Sequence, residues 1–320
     1  MPVLDFPLSR LKTYKGINPK PKDFDAYWDK ALREMRSVNP RLELIPNKTL
    51  KVSYADCFDM FWTGVGGARI HAKLLRPRKA PHPHTALCVF HGYSMSSGDW
   101  SDKLNYVAAG FTVAAMDARG QGGSSEDKGG VKGNTLNGHI IRGLDDAPEK
   151  LLFRQIFLDT AQMAGIVMGF PEVDPKRVGA MGASQGGGLT LACAALEPRL
   201  KRAAPIYPFL CDYQRVWEMD LAKNAYDELK TYFRRFDPNH LREKEVFTRL
   251  GYIDNQHLAS RIKAEVLMAV GLIDDICPPS TQFAAFNKIR SKKEAVIYHD
   301  FSHEWIPEFG DKAFNFFMEM

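Results

Sequence analysis

Cysteine is scarce and unpaired: the 320 residues hold five, Cys57, Cys88, Cys193, Cys211 and Cys277, with no C-x-x-C spacing. An odd, scattered set fits reduced thiols in a cytoplasmic protein better than a disulfide frame or a zinc site. Most should be small core residues, although Cys277 lies near chemistry described below. No apolar run approaches the roughly 18 residues of a membrane-spanning helix, so a soluble chain with no membrane partner is expected. Asp5 and Pro7 interrupt the N-terminal stretch where an export signal would be apolar. Excess charge is also small: 43 basic against 38 acidic residues leave +5. Spread over this length, that is no footprint for a nucleic-acid partner. There is no H-E-x-x-H, no P-loop and no G-x-G-x-x-G opening a strand–helix unit, and the GQGGSS at 120–125 lacks a phosphate loop's lysine and helix. No metal and no nucleotide cofactor is therefore expected.

What is present is globular: 45% hydrophobic and 25% charged residues exclude disorder. Residues 23–37 place Phe24, Tyr27, Trp28, Ala31, Leu32 and Met35 at helical spacing behind Asp23 as N-cap. Alternating stretches at 50–58 and 68–77, around the Gly-rich turn Gly64–Gly67, predict an antiparallel pair. Apolar runs follow at 85–92, 111–120, 176–186, 201–208, 264–271 and 294–301. Each ends in Gly, Asp, Pro or His, the signature of parallel strands covered on both faces. Helical patterns at 154–170, 186–197 and 279–290 separate several of them. The alternation implies an α/β fold, a mostly parallel, doubly wound sheet with helices on both faces. Residues 121–150 read as a long Gly- and Asp-rich loop, and 212–262 as a helical, lid-like insertion. The whole of 1–320 reads as one domain.

The strongest local motif is Gly182-Ala183-Ser184-Gln185-Gly186, a G-x-S-x-G between a strand-like run and a helix-like one. That context is what a nucleophile elbow requires, with small residues flanking a serine raised above the sheet. The competing reading is a Gly-rich tight turn with a bystander serine. A serine hydroxyl needs a base and an orienting acid, which follow it in the order acid, then histidine, in α/β-hydrolases. Asp274 and Asp275 stand just beyond one strand and His303 beyond the next. The residue pattern alone leaves the choice between the two aspartates open. His303 is the histidine that comes after both serine and acid and also follows a strand, whereas His299 sits inside the apolar run. Oxyanion donors are expected from the backbone N–H of Gln185 and, after His91-Gly92, from that of Tyr93. A histidine base must be neutral, so activity should rise with pH through about 6–7.

HGYSMSSGDW, DARGQGGSS, GASQGGGL, GLIDDICPPSTQFAAFN and His303-Glu304 occur together and in order. The set resembles the acetyl xylan esterase/cephalosporin C deacetylase family, carbohydrate esterase family 7, over nearly the whole chain. The resemblance implies an α/β-hydrolase fold with Ser184 as nucleophile, Asp274 as acid (the first residue after Gly-Leu-x) and His303 as base. It also places the oxyanion donors on Tyr93 and Gln185, and gives Arg119, Gly120 and Gln121 a part in shaping the site. The implied activity is removal of acetyl groups from small acetylated sugars and cephalosporin C by an intracellular hexamer. A general carboxylesterase or dienelactone-hydrolase-like enzyme with the same triad is the alternative. A hydrolase-fold protein with an idle site is the non-enzymatic one.

Overall fold

The computed structural model describes residues 4–133 and 138–320. The described residues form a nine-stranded sheet: β1 (Glu43–Asn47), β2 (Ala55–Thr63), β3 (Arg69–Pro77), β4 (His84–Phe90), β5 (Thr112–Met116), β6 (Val173–Ala183), β7 (Arg202–Ile206), β8 (Glu265–Gly271) and β9 (Lys293–Tyr298). Their spatial order is β1-β2-β3-β5-β4-β6-β7-β8-β9. Pairing is antiparallel from β1 to β5 and parallel from β5 onward, with Cys88 facing Ala114 on one side and Ala180 on the other. The helices are α1 (Leu8–Leu11), α2 (Phe24–Ser37), α3 (Leu104–Ala108), α4 (Leu152–Met168), α5 (Gln185–Leu196), α6 (Tyr213–Glu218), α7 (Asp227–Phe236), α8 (Glu243–Leu250), α9 (Asn255–Leu258), α10 (Pro279–Phe286) and α11 (Phe309–Met318).

The continuous apolar runs have a simple cause. Along β4, Ala86, Cys88 and Phe90 join one core while Leu87 and Val89 join the other. The first core is completed by α2, α4 and α5, the second by α3 and α11. Side chains in the middle of these central strands thus leave water on both faces, whichever way they point. Helix α5, QGGGLTLACAAL, is buried along its whole length, which is why its sequence has no polar face. Each of its leucines contributes roughly 1.5–3 kcal/mol by burial.

One strand expectation shifts. The alternating stretch at 50–58 enters the ladder only at Ala55. Asn47 Oδ1 accepts the Thr49 N–H at 2.9 Å, a side-chain-closed turn that ends β1. Leu50 and Val52 lie in the connection and pack on the second core without ladder partners, so their alternation reports burial rather than pairing. The expected antiparallel pair is a three-stranded meander, because the mostly exposed edge strand β1, with Pro46 inside it, has no apolar pattern to betray it.

Candidate active site

The turn between β6 and α5 carries Ser184 at φ 58°, ψ −120°, a conformation that side chains rarely adopt. Three backbone hydrogen bonds hold it there. Its N–H donates to Ile206 O at 3.0 Å, and its carbonyl accepts from Gly188 N at 3.0 Å and Phe209 N at 2.9 Å. The flanking glycines are a matter of space: a Cβ on Gly182 would sit 2.5 Å from Phe90 O, and one on Gly186 would overlap the same carbonyl. The strand, the turn and the helix can approach this closely only without those methyls.

Ser184 Oγ lies 2.9 Å from His303 Nε2, and His303 Nδ1 lies 2.9 Å from Asp274 Oδ2. Asp274 is fully buried; its Oδ1 accepts the N–H groups of Ile276 at 2.9 Å and Cys277 at 2.8 Å. Those bonds fix the carboxylate, which fixes the imidazole tautomer with Nδ1–H towards the acid. Asp275 turns outward, pairing with Lys223 at 2.7 Å and accepting the Ser302 hydroxyl at 3.3 Å. The Lys223 hydrogen bond lowers its titration. The structure therefore brings Asp274, and not Asp275, onto His303. The Tyr207 ring lies against His303, centroids 4.6 Å apart.

The Tyr93 and Gln185 backbone N–H groups have no acceptor among the described residues. Gln121 links their two loops. Its Oε1 accepts the Ser94 N–H at 2.9 Å, and its amide donates to Gln185 Oε1 at 2.8 Å. Arg119 is tied into the fold: its guanidinium grips Asp159 on α4 through Nε (2.7 Å) and a terminal nitrogen (2.6 Å), and donates to Val65 O at 3.1 Å. Gly120 takes φ 69° so that the chain can turn between these two anchors. His91 anchors the Tyr93 loop from beneath. Its Nε2 accepts the Ala118 N–H at 2.9 Å, leaving Nδ1–H to donate to Gly92 O at 2.7 Å, and burial lowers its titration.

Sequence reasoning missed a second layer. Asp117 accepts the N–H groups of Ser97 (2.6 Å) and Ser124 (2.9 Å) and pairs with His71 at 2.7 Å, while His71 reaches Asp59 at 3.0 Å on its other nitrogen. Burial works against the His71 charge, but the two carboxylates outweigh it and raise its titration. Asp117 likewise overcomes burial, through His71 and the two backbone donors, and is held well below the usual carboxylate range. The signal was the Gly122-Gly123 pair, since a Cβ on Gly123 would overlap the Asp117 carboxyl. Glu228, buried under Tyr93, left no local signal at all.

The five cysteines are buried and unpaired. Burial first, and the Asp274 charge second, push the Cys277 thiol up, so it behaves as packing beside the serine rather than as a thiolate. Among the described residues no helix is long and apolar enough to cross a membrane.

A central parallel sheet with a serine on a strained strand–helix turn, hydrogen-bonded to a histidine that a buried aspartate holds in turn, both from later strand ends, defines an α/β-hydrolase. The acetyl xylan esterase (AXE1) family profile matches residues 1–320. The chain belongs to that family and is a carboxylic ester hydrolase. It is 63% identical to acetyl xylan esterase 1 from Thermoanaerobacterium sp. JW/SL YS485, with a TM-score of 0.97, covering 98% of this chain and 99% of that one. The acetyl xylan esterase from Paenibacillus sp. R4 is 36% identical with a TM-score of 0.92, again covering 98% and 99%. Acetyl esterase Axe7A of Xylanibacter ruminicola is 27% identical over 290 residues, which is 88% of this chain but 63% of that protein's length.

Proposed function

We propose that the protein is a serine esterase that removes acetyl groups from small acetylated carbohydrates such as xylo-oligosaccharides, and from cephalosporin C-type esters. The observation that carries the reading is the row Ser184–His303–Asp274, with 2.9 Å at each link; the Tyr93 and Gln185 backbone N–H groups, without an acceptor among the described residues, are left for an oxyanion. Ser184 Oγ attacks the acetyl carbonyl as His303 Nε2 takes its proton. Asp274 holds the imidazole and stabilises its cation. The oxyanion is received by the N–H groups of Tyr93 and Gln185, each worth about 2.7–4 kcal/mol of barrier. His303 then protonates the leaving sugar hydroxyl, leaving acetyl-Ser184. Water, deprotonated by the same imidazole, releases acetate and restores the serine. Arg119, Gly120 and Gln121 shape the site, with Gln121 keeping the two donor loops in register.

The similarity to two acetyl xylan esterases over nearly the full chain supports the acetyl preference. We also read residues 1–320 as one domain whose 212–262 segment is lid-like. By family resemblance the protein is a cytoplasmic homo-hexamer, and five unpaired cysteines fit a reducing compartment.

The test is steady-state hydrolysis of p-nitrophenyl acetate and p-nitrophenyl butyrate, with Ser184→Ala alongside. Strong acetate preference abolished by the substitution is the expected outcome, followed by acetate release from acetylated xylo-oligosaccharides and cephalosporin C. Equal or better butyrate turnover would favour a general carboxylesterase. Activity surviving in Ser184→Ala would overturn the nucleophile.

A further inference from the structure

The helical segment after β7 contributes a buried acid that the scheme above does not use. Glu228, in the first turn of α7, is 2% exposed. Its Oε1 accepts the Tyr93 hydroxyl and also the His139 N–H at 3.2 Å, while Oε2 accepts the Ile141 N–H at 2.9 Å. The Tyr93 hydroxyl oxygen itself accepts the His139 N–H at 2.9 Å. Gly138 closes the nest: it sits at φ 92°, and a Cβ there would overlap the Glu228 carboxyl. The Tyr93 ring is held between His139 and Phe209, at centroid distances of 5.0 and 5.6 Å.

The groups facing this carboxyl are few. From the donor loop comes Tyr93, from the 138–141 segment His139, and from α6 Tyr213. No lysine or arginine among the described residues forms an ion pair with it. His139 gives no counter-charge, since burial, and Arg142 after it, lower its titration. An ion buried without a cation is costly, and an unbranched apolar side chain would fill the space more cheaply. What the carboxylate supplies, and an apolar residue cannot, is acceptor capacity for three donors. They are the far end of Tyr93 and two N–H groups, those of His139 and Ile141, from the segment whose His139 ring lies against it.

We propose that Glu228 is a positioning residue for the oxyanion pocket: by anchoring the Tyr93 hydroxyl and the 139–141 backbone, it fixes the direction of the Tyr93 N–H. The inference rests on the reading of Tyr93 as an oxyanion donor. It has a pH signature. Burial pushes the Glu228 carboxyl up to about 7, against the pull of Tyr93 and the N–H groups of Ile141, His139 and Ile140. Protonation turns one acceptor oxygen into a donor that faces other donors, and the anchor loosens. Turnover then falls on the acid side for two reasons, the protonated base and the loosened pocket. The limb is steeper than one ionisation gives.

The experiment measures kcat and KM against pH for the wild type, Glu228→Gln, Tyr93→Phe, the double variant and Ser184→Ala, with Tm recorded for each. Glu228→Gln keeps the shape but not the charge; Tyr93→Phe removes only the hydroxyl. Each single variant is expected to lose about tenfold in kcat, a fraction of a full oxyanion donor, with KM within about twofold. The double variant is expected to lose no more than either, because both cut one anchor. In Glu228→Gln the acid limb should relax to a single ionisation. A folded Glu228→Gln with wild-type kcat and an unchanged limb overturns the proposal, as do losses that multiply in the double variant. If Ser184→Ala keeps its activity, the serine reading itself fails. If Ser184→Ala is inactive and Glu228→Gln behaves as wild type, only the positioning role falls.

Discussion

At the scale of single residues, Asp274 and Asp275 are neighbours with opposite fates. Asp274 is dry, fixed by two backbone N–H groups and aimed at His303, whereas Asp275 is partly exposed and paired with Lys223. Asp274→Asn is expected to lower kcat by about 10⁴, since the amide favours the wrong imidazole tautomer. Asp275→Asn removes one exposed pair, worth under about 1 kcal/mol, and should leave kcat nearly unchanged. Equal losses in the two variants would reverse the assignment. Arg119 makes a different prediction, because its partner Asp159 is fully buried. Asp159→Ala leaves a guanidinium without its carboxylate, and breaking such a pair costs about 3–5 kcal/mol, which chemical denaturation would read directly. Glu228 gives a third, on stability against pH. Its folded-state titration is raised from 4.5 to about 7, so the folded protein binds the extra proton and loses stability as pH climbs through that window. The Tm of Glu228→Gln relative to wild type should therefore improve between about pH 4.5 and 7 and level off above that. A constant difference would mean the carboxyl is not titrating there. None of these contrasts is local: by residue pattern alone the two aspartates were equivalent, and the fold gave one of them a histidine.

Elements carry the next constraint, and α5 shows it best. Its opening glycines lie against backbone rather than side chains, Gly186 on Phe90 O and Gly188 on Phe209 O. A backbone carbonyl cannot swing aside, so Gly186→Ala must push the helix off β4. The expected cost is about 3 kcal/mol or more, with a fall in kcat because Gln185 moves with the helix. Urea unfolding beside initial rates would check it, and full stability would show that the helix has room to shift. The buried strands and α5 were legible in sequence because burial on all sides leaves an unbroken apolar run bounded by turn residues. The edge was not: β1 is short and mostly exposed, and the alternation of Leu50 and Val52 belongs to a packed connection. Hydrophobicity records where a side chain goes, while pairing depends on which backbone lies alongside.

For the whole molecule, the exposed apolar side chains matter. Trp305 is 79% exposed two residues after His303, and Leu241 is 86% exposed between α7 and α8. The proposed hexamer would give such side chains cover. Sedimentation equilibrium should return six chain masses, with Trp305 fluorescence shifting to the red when dilution separates the copies. A single chain mass at assay concentrations would reject the assembly. Length, composition and the order of apolar runs by themselves determined an α/β sheet, because those patterns follow from covering both faces of parallel strands. The string GASQG, with acid and histidine at later strand ends, determined which residues compete for the site, since strand order brings those ends to one edge. The residue pattern left Asp274 and Asp275 level and the family resemblance favoured Asp274; the tertiary structure supplied the contact itself, with His303 on Asp274 and not on Asp275. It also decided that Arg119 is tied to Asp159 and that Glu228, 135 residues on from Tyr93, lies beneath it. Such contacts join chain segments that have no periodicity in common, and only packing brings them within hydrogen-bond reach.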